Sequence, residues 1–594
     1  MSTAEPGVEQ VRWDLTDLHE GPDALRGSLE TAAEAAADFA DAYRGRIADL
    51  TPEELAEALD RLGTIHDRLG RARAYAHLHW ATDTNDGERG ALLQSVRERT
   101  NRIQQQLLFV KVEWAGVDDD RAQALLAHEA VADFRHFLET EYRKKEHVLS
   151  EPEEKVLSEK SMTANRAWTR YFDETLGATR YDLDGEELTQ EEILSKLYEP
   201  NRDHRRDAAL AFTEGLRDHR RSLTFVFNTL LADKASTDRL RHYDHWLESR
   251  NLSNEIEADT VEALIDAVTG RYDLVARFYE LKRRLLGLDE LYDYDRYAPL
   301  NEADTTYGWD DARSMVLEAY GDFHHEMASV ARRFFEDNWI DAAMAPGKRS
   351  GAFSHGTVPS AHPYVLLNYD GKARDVQTLA HELGHGVHQF LAREQTIFHH
   401  GTPLTTAEMA SVFGEMLVFR RLMRREDDPE NRLAMLISKI DDTLATVFRQ
   451  VALNRFEDRI HTHRREDGEL QPEHFDEYWM ETQQAMFEGS VTLGDHYRYW
   501  WSYIPHFLHT PGYVYAYAFG ELLVLALYAR YEEEGEAFAD RYLDLLRAGG
   551  SDWPHALMER VGVDLTDEAF WQRGLVQIEG LIDDAEALSE KTAP

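Results

Sequence analysis

The chain has 594 residues, of which 43% are hydrophobic and 11% aromatic; this is enough to bury a large core and excludes wholesale disorder. It contains no cysteine, which excludes a disulfide scaffold and every thiolate-based metal or nucleophile site. With 111 acidic against 66 basic residues the formal charge is −45, and no local basic patch offsets it, so nucleic acid is not an expected partner.

Only 12 of the basic residues are Lys, and the acidic excess runs along the whole chain. Two readings fit: an acidic, solvated surface suited to high salt, or an ordinary acidic cytosolic protein from an Arg-biased genome. The first residues, MSTAEPGVEQVRWDL, have neither a basic n-region nor an apolar h-region. No signal peptide is therefore expected, and the default compartment is the cytoplasm.

Taken in order, apolar residues at i, i+3/i+4 spacing predict helices over 21–45 (Leu25, Leu29, Ala32, Ala36, Phe39, Tyr43), 52–82 and 90–115. Residues 142–198 mix helix with turns, and Tyr181–Asp184–Gly185 predicts a short hairpin. Long helices resume near Asn201 and run to about 340. Composition then shifts once, in 341–374, where Gly, Pro, Ser and His concentrate and Tyr364–Tyr369 reads as a β-strand whose edge can pair with an extended peptide. An irregular island in a helical protein is a natural place for a site. Near the end, Leu522–Ala529 is the longest apolar run, far short of the roughly 20 residues that span a bilayer, so no membrane partner is expected.

Directly after the island stands His381-Glu382-Leu383-Gly384-His385, an H-E-x-x-H pattern with His388 one turn further on. On a helix, His residues at i and i+4 point the same way and can share one metal ion, while the Glu between them can act on a water at that ion. Val376, Leu379, Ala380, Leu383, Val387, Phe390 and Leu391 form one apolar arc, with the histidines opposite and Asp375 placed as N-cap. The competing reading is a solvent-facing His stripe. A catalytic zinc needs a third protein ligand. His388 lies about 10 Å along the axis from His381, too far to converge with it. A second helix over Thr406–Met423 offers a better donor: Met409, Val412, Phe413, Met416 and Leu417 form its apolar arc, and Glu408, Ser411 and Glu415 its other face. Glu408 is then the ligand and Glu415 supports a ligand from behind. His388 is left a supporting or packing role, and two solvated glutamates are the alternative.

With these segments in view, PGKRSGAFS (346–354), PYVLLNYDG (363–371), DVQTLAHELGHGVHQF (375–390) and AEMASVFGE (407–415) resemble the signature segments of the oligoendopeptidase F family, among the thimet oligopeptidase-like zinc metallopeptidases. WDLTDL (13–18), YEPNRDHRRDAALAF (198–212) and IPHFLHTPGYVYAYAFG (504–520) agree, so the resemblance covers nearly the whole chain. It implies a mostly α fold: a large helical body enclosing a deep channel, with a small β element beside the zinc-binding helix. It implies short peptides as substrates and one zinc ion per chain, held by His381, His385 and Glu408, with Glu382 as the catalytic glutamate. Ser354 stands where many relatives have Cys. His506, Tyr513, Tyr515 and Tyr517 cluster around Pro511 and Gly512, and similar residues face the substrate in the family. They are candidate donors to the oxyanion of amide hydrolysis, His506 and Tyr513 before Tyr515; core packing is the alternative for each Tyr.

The expected protein is thus a zinc-dependent oligoendopeptidase with an N-terminal helical domain over 1–190 and a catalytic domain over 191–594. A zinc carboxypeptidase on a similar scaffold, or a catalytically silent helical binding protein, would be the rival. Oligomeric state is not readable from the sequence.

Overall fold

A computed structural model describes residues 7–300 and 306–592. The first six residues of the N-terminal stretch read above, and the few residues around 303 within the run of long helices, lie outside the described residues. The fold is mostly α. Strands are confined to β1 (Tyr181–Leu183), β2 (Glu186–Leu188), β3 (Ile340–Asp341), β4 (Phe353–His355) and β5 (Tyr364–Leu366) among the described residues. Contacts gather the chain into two compact units, each assembled from three stretches.

The first unit comprises Met1–Glu151, Thr305–Leu422 and Arg530–Asp564. Its opening helices are Pro22–Tyr43, Pro52–Ala81 and Gly87–Leu107. The first buries the predicted stripe from Leu25 to Tyr43. The second starts sharply because the Thr51 hydroxyl accepts from Glu54 N–H while the Glu54 carboxylate accepts from Thr51 N–H, satisfying donors the helix end would otherwise orphan. The helix expected over 90–115 is interrupted at Leu108 and resumes as Phe109–Ala115, where Trp114 is buried and donates to the Leu138 carbonyl. These helices share one apolar core with Val358, Ala361 and Tyr364 of the island.

Within the island the strands order β3–β5–β4, β5 pairing parallel with β3 and antiparallel with β4. The expected free edge at Tyr364–Tyr369 is therefore corrected. The strand is only Tyr364–Leu366, and it is the centre of the sheet with both edges taken. All three of its residues are fully buried, as a strand covered on both faces requires. Lys348 staples the irregular chain to this sheet: its buried ammonium donates to the Asp341 carboxylate at 2.6 Å and to the Ala343 and Leu367 carbonyls.

The second unit comprises Pro152–Asp304, Met423–Ala529 and Leu565–Pro594. The Asp184–Gly185 turn, with φ of 57° and 86°, joins β1 and β2 into the expected hairpin. Helix Arg202–Leu240 runs for 39 residues from an Asn201 cap and packs Phe212, Leu223 and Phe227 into an aromatic core with Phe475, Trp479, Trp500 and Trp501. Arg205 reaches the fully buried Asp295 at 2.8 Å, which accounts for the NRDHR segment structurally. Helix Tyr515–Glu534 buries the Leu522–Ala526 run completely. Among the described residues no helix is long and apolar enough to cross a membrane.

Candidate active site

Residues 373–391 form the motif helix, Ala373–Leu391. Its N-cap is Lys372, not Asp375, which sits at N3 and accepts from the Lys372 and Asp370 N–H groups. The carboxylate still satisfies the helix start, but from inside the first turn, reaching backward as an N3 acid does. Val376, Leu379, Ala380, Leu383 and Val387 have no exposure, Leu391 is buried and Phe390 is half-buried.

The helix expected over Thr406–Met423 is split. A short turn, Leu404–Ala407, ends at Glu408, and the carboxylate helix follows as Met409–Arg425. The Glu408 carbonyl accepts from Val412 N–H and so opens the second helix. Gly384 explains how close the two helices come. A Cβ there would lie 2.2 Å from the Ala410 carbonyl oxygen and 2.7 Å from Ser411 Cα, so only glycine admits this backbone approach.

The crossing brings His381, His385 and Glu408 together, each offering one donor atom within 4.8 Å of the others. His381 Nε2 lies 3.4 Å and His385 Nε2 3.3 Å from the same Glu408 oxygen. Those separations are at the long end for hydrogen bonds. They match the edges of a tetrahedron around an ion bonded at about 2.0–2.1 Å, which sets its donors about 3.3–3.4 Å apart. Donor chemistry and spacing therefore both fit zinc. Ser411 donates its hydroxyl to the same Glu408 oxygen at 2.7 Å, and Glu415 faces His381 Nδ1 at 3.4 Å.

The electrostatics follow from this packing. Burial disfavours a charged His381, yet Glu415, Glu408 and Glu382 outweigh it and hold its pKa up at about 9. Burial likewise opposes the Glu408 charge, but His385, His381 and Ser411 hold that carboxyl down at about 2. Glu382 is 7% exposed, and burial raises its pKa against the pull of the two histidines. The Ser354 backbone N–H on β4 pulls the same way as the histidines, while the Ser354 hydroxyl is spent on Gln389. His388 is outside the donor group. It is buried and held neutral, its pKa pushed down to about 3, and its Nε2 has no hydrogen-bond partner.

The late aromatic residues belong to the second unit. His506 Nε2 lies 3.2 Å from the Tyr517 hydroxyl, its ring is parallel to that of Tyr513 at 6.3 Å, and Tyr513 meets Tyr517 edge-on at 4.8 Å. Burial lowers the His506 pKa, favouring the neutral ring. Tyr515 stands apart from this trio. It is fully buried, donates its one hydroxyl proton to Asn251 and accepts from Asn254, both at 2.9 Å. No proton is left for a substrate oxygen, so its placement is that of an anchor. Sequence reading missed Gly384, the Ser354 N–H and the Asn251–Asn254 clamp. Only Gly384, inside the motif itself, carried a readable signal.

A family model described as Peptidase family M3 matches residues 195–577, and one described as Oligopeptidase F matches 113–181. Oligopeptidase PepF of Bacillus subtilis is 28% identical over 98% of this chain and 87% of its own length. A crystal structure from Chlamydophila abortus is 25% identical with a TM-score of 0.87, covering 98% of this chain and 99% of that one. The crystal structure of oligoendopeptidase-F from Enterococcus faecium, 22% identical, shares the fold with a TM-score of 0.71 over 97% and 99%.

Proposed function

The chain belongs to peptidase family M3, and from that footing we propose that it is a zinc-dependent oligoendopeptidase cutting internal bonds of short, unstructured peptides. The observation that carries this is the His381–His385–Glu408 donor group with buried Glu382 beside it on the motif helix. One zinc ion per chain would be held by those three side chains. It would supply Lewis acidity, polarising the scissile carbonyl and acidifying a water. Glu415 accepts from His381 Nδ1–H, which fixes the tautomer that turns the Nε2 lone pair toward the donor group. Glu382 takes a proton from the attacking water and passes it to the leaving amine; its raised pKa suits a group that must hold that proton in transit.

We assign His506 and Tyr513 as hydrogen-bond donors to the charge that develops on the substrate, leave Tyr515 an anchoring role, and give His388 a packing role in the motif helix. The catalytic function is assigned to residues 191–594, which contain all of these and the M3 match, with 1–190 as an N-terminal helical part. With β5 enclosed, the sheet edge available to an extended backbone beside Glu382 is β4. The relatives' names, oligopeptidase and oligoendopeptidase, support the preference for short peptides and internal bonds. The charge supports adaptation to high salt.

An internally quenched peptide blocked at both ends tests the reading. Cleavage at an internal bond, abolished by a zinc chelator and restored by zinc, is expected. Trimming only of peptides with a free C-terminus would make the protein a carboxypeptidase instead.

A further inference from the structure

One buried carboxyl in the second unit has no part in the reaction described so far. Glu457, on helix Phe448–Glu466, is wholly inaccessible to solvent. Its Oε1 accepts from the Gly512 backbone N–H at 2.8 Å, and its Oε2 is buried with no partner. A buried, half-satisfied carboxylate is costly unless it does something or holds a proton. What it touches is the Pro511–Gly512 turn between His506 and Tyr513.

The turn lies close against Trp246 and Leu247. Gly512 has φ +74°, a region that favours glycine, and a Cβ on it would lie 2.6 Å from Leu247 and 3.3 Å from Trp246. Glycine is what lets the backbone lie flat against that wall. Three anchors then fasten it: Glu457 on the Gly512 N–H, Arg250 on the Pro511 carbonyl at 3.4 Å, and Asn251 and Asn254 on the Tyr515 hydroxyl. Backbone bonds carry the position onward, from Thr510 N–H to the His506 carbonyl and from Tyr513 N–H to the Thr510 carbonyl. The anchor nearest Tyr513 along the chain is Glu457, on the residue just before it.

We propose that Glu457 is a positioning residue of this peptidase, whose buried carboxyl fixes the Pro511–Gly512 turn and thereby the placement of His506, Tyr513 and Tyr517. The proposal rests on the assignment of His506 and Tyr513 to the substrate. The charged groups acting on Glu457 are Arg250 from helix Glu248–Ser253 and Lys234 from helix Arg202–Leu240. Both favour its ionised form, but burial outweighs them and raises the pKa to about 8. At neutral pH the group is mostly a neutral acid, and its acceptor oxygen serves the turn without an uncompensated buried charge. A folded-state pKa above the ordinary carboxyl value of 4.5 means that the folded chain binds the extra proton between the two values. Stability from this group is therefore full below about 4.5 and is lost as pH rises through about 8.

The test uses the full-length, metal-loaded protein and two variants. Glu457→Gln keeps the shape and an acceptor for Gly512 N–H but cannot ionise; Glu457→Ala removes the anchor. In Glu457→Ala, hydrogen exchange at Gly512 is expected to quicken about tenfold or more, and kcat to fall about tenfold to a hundredfold with bound zinc unchanged. Ionised Glu457 would be a buried charge set against the turn, so wild-type kcat is expected to fall near pH 8; Glu457→Gln should restore both readouts and remove that fall. Unchanged exchange at Gly512 in Glu457→Ala overturns the proposal, as does an alkaline limb that survives in Glu457→Gln, which remains measurable if the Ala variant does not fold. Faster exchange with unchanged kcat also overturns it, and His506→Ala then locates the fault. If His506→Ala is impaired, only the role of Glu457 falls; if it too is unimpaired, the assignment of His506 to the substrate falls with it.

Discussion

At the scale of single residues, the acid and the ligands separate experimentally because they fail differently. Glu382→Gln leaves His381, His385 and Glu408 in place, so it should keep its zinc while turnover falls about 10²–10⁴-fold or more. Glu408→Ala should lose zinc affinity steeply, and His388→Ala by no more than about 10–100-fold, since His388 lies outside the donor group. Metal content measured beside activity checks both; a folded but metal-free Glu382→Gln protein, or the reverse order of affinities, contradicts the roles. The His pair was legible because i, i+4 spacing on a helix is a local fact, and Glu408 because one face of the next helix carries carboxylates. Tyr515 was not legible: its hydroxyl is spent on Asn251 and Asn254, more than 250 residues earlier in the chain. No local pattern reports such a partner. Glu457 was invisible for the same reason.

At the scale of elements, the site depends on two helices crossing at almost zero clearance. Gly384→Ala puts a methyl group into the Ala410 carbonyl, and backbone cannot yield as a flexible side chain would. The helices must separate, at a cost of about 1–3 kcal/mol or more, and Glu408 moves away from the histidines with them. The expected outcome is a lower melting temperature together with weaker zinc binding, read by calorimetry and chelator competition. A variant that loses stability while holding zinc as tightly as before would show that the crossing does not set the ligand geometry. Helices with a continuous apolar stripe, such as Pro22–Tyr43, were readable almost to the residue. The sheet was not. Whether Tyr364–Leu366 is a centre or an edge depends on β3 and β4, a few residues each and too short to announce themselves. The helix start slipped from Asp375 to Lys372 because an acid serves a helix start from N3 as well as from the cap.

At the scale of the molecule, charge dominates. A formal −45 self-repels, and the Debye length falls from about 30 Å at 0.01 M to about 3 Å at 1 M salt. The melting temperature is therefore expected to rise between low and molar KCl. A flat or falling curve would return the composition to that of an ordinary acidic enzyme. Zinc binding should change little over the same range, because its donors are partly buried and bond directly. The two units, each built from three stretches, are an arrangement that a linear search for linkers cannot express.

The brevity of the strands has a consequence for how copies of this chain can meet. No strand among the described residues exceeds three residues, whereas fibril-forming ladders are built from segments of about six or seven. A three-residue margin can hold a passing piece of extended backbone for the length of one encounter, yet it cannot template a second copy of itself. Crowding many such molecules together offers sheet continuation only these short edges, so lasting self-association is expected to use helix faces and loops instead.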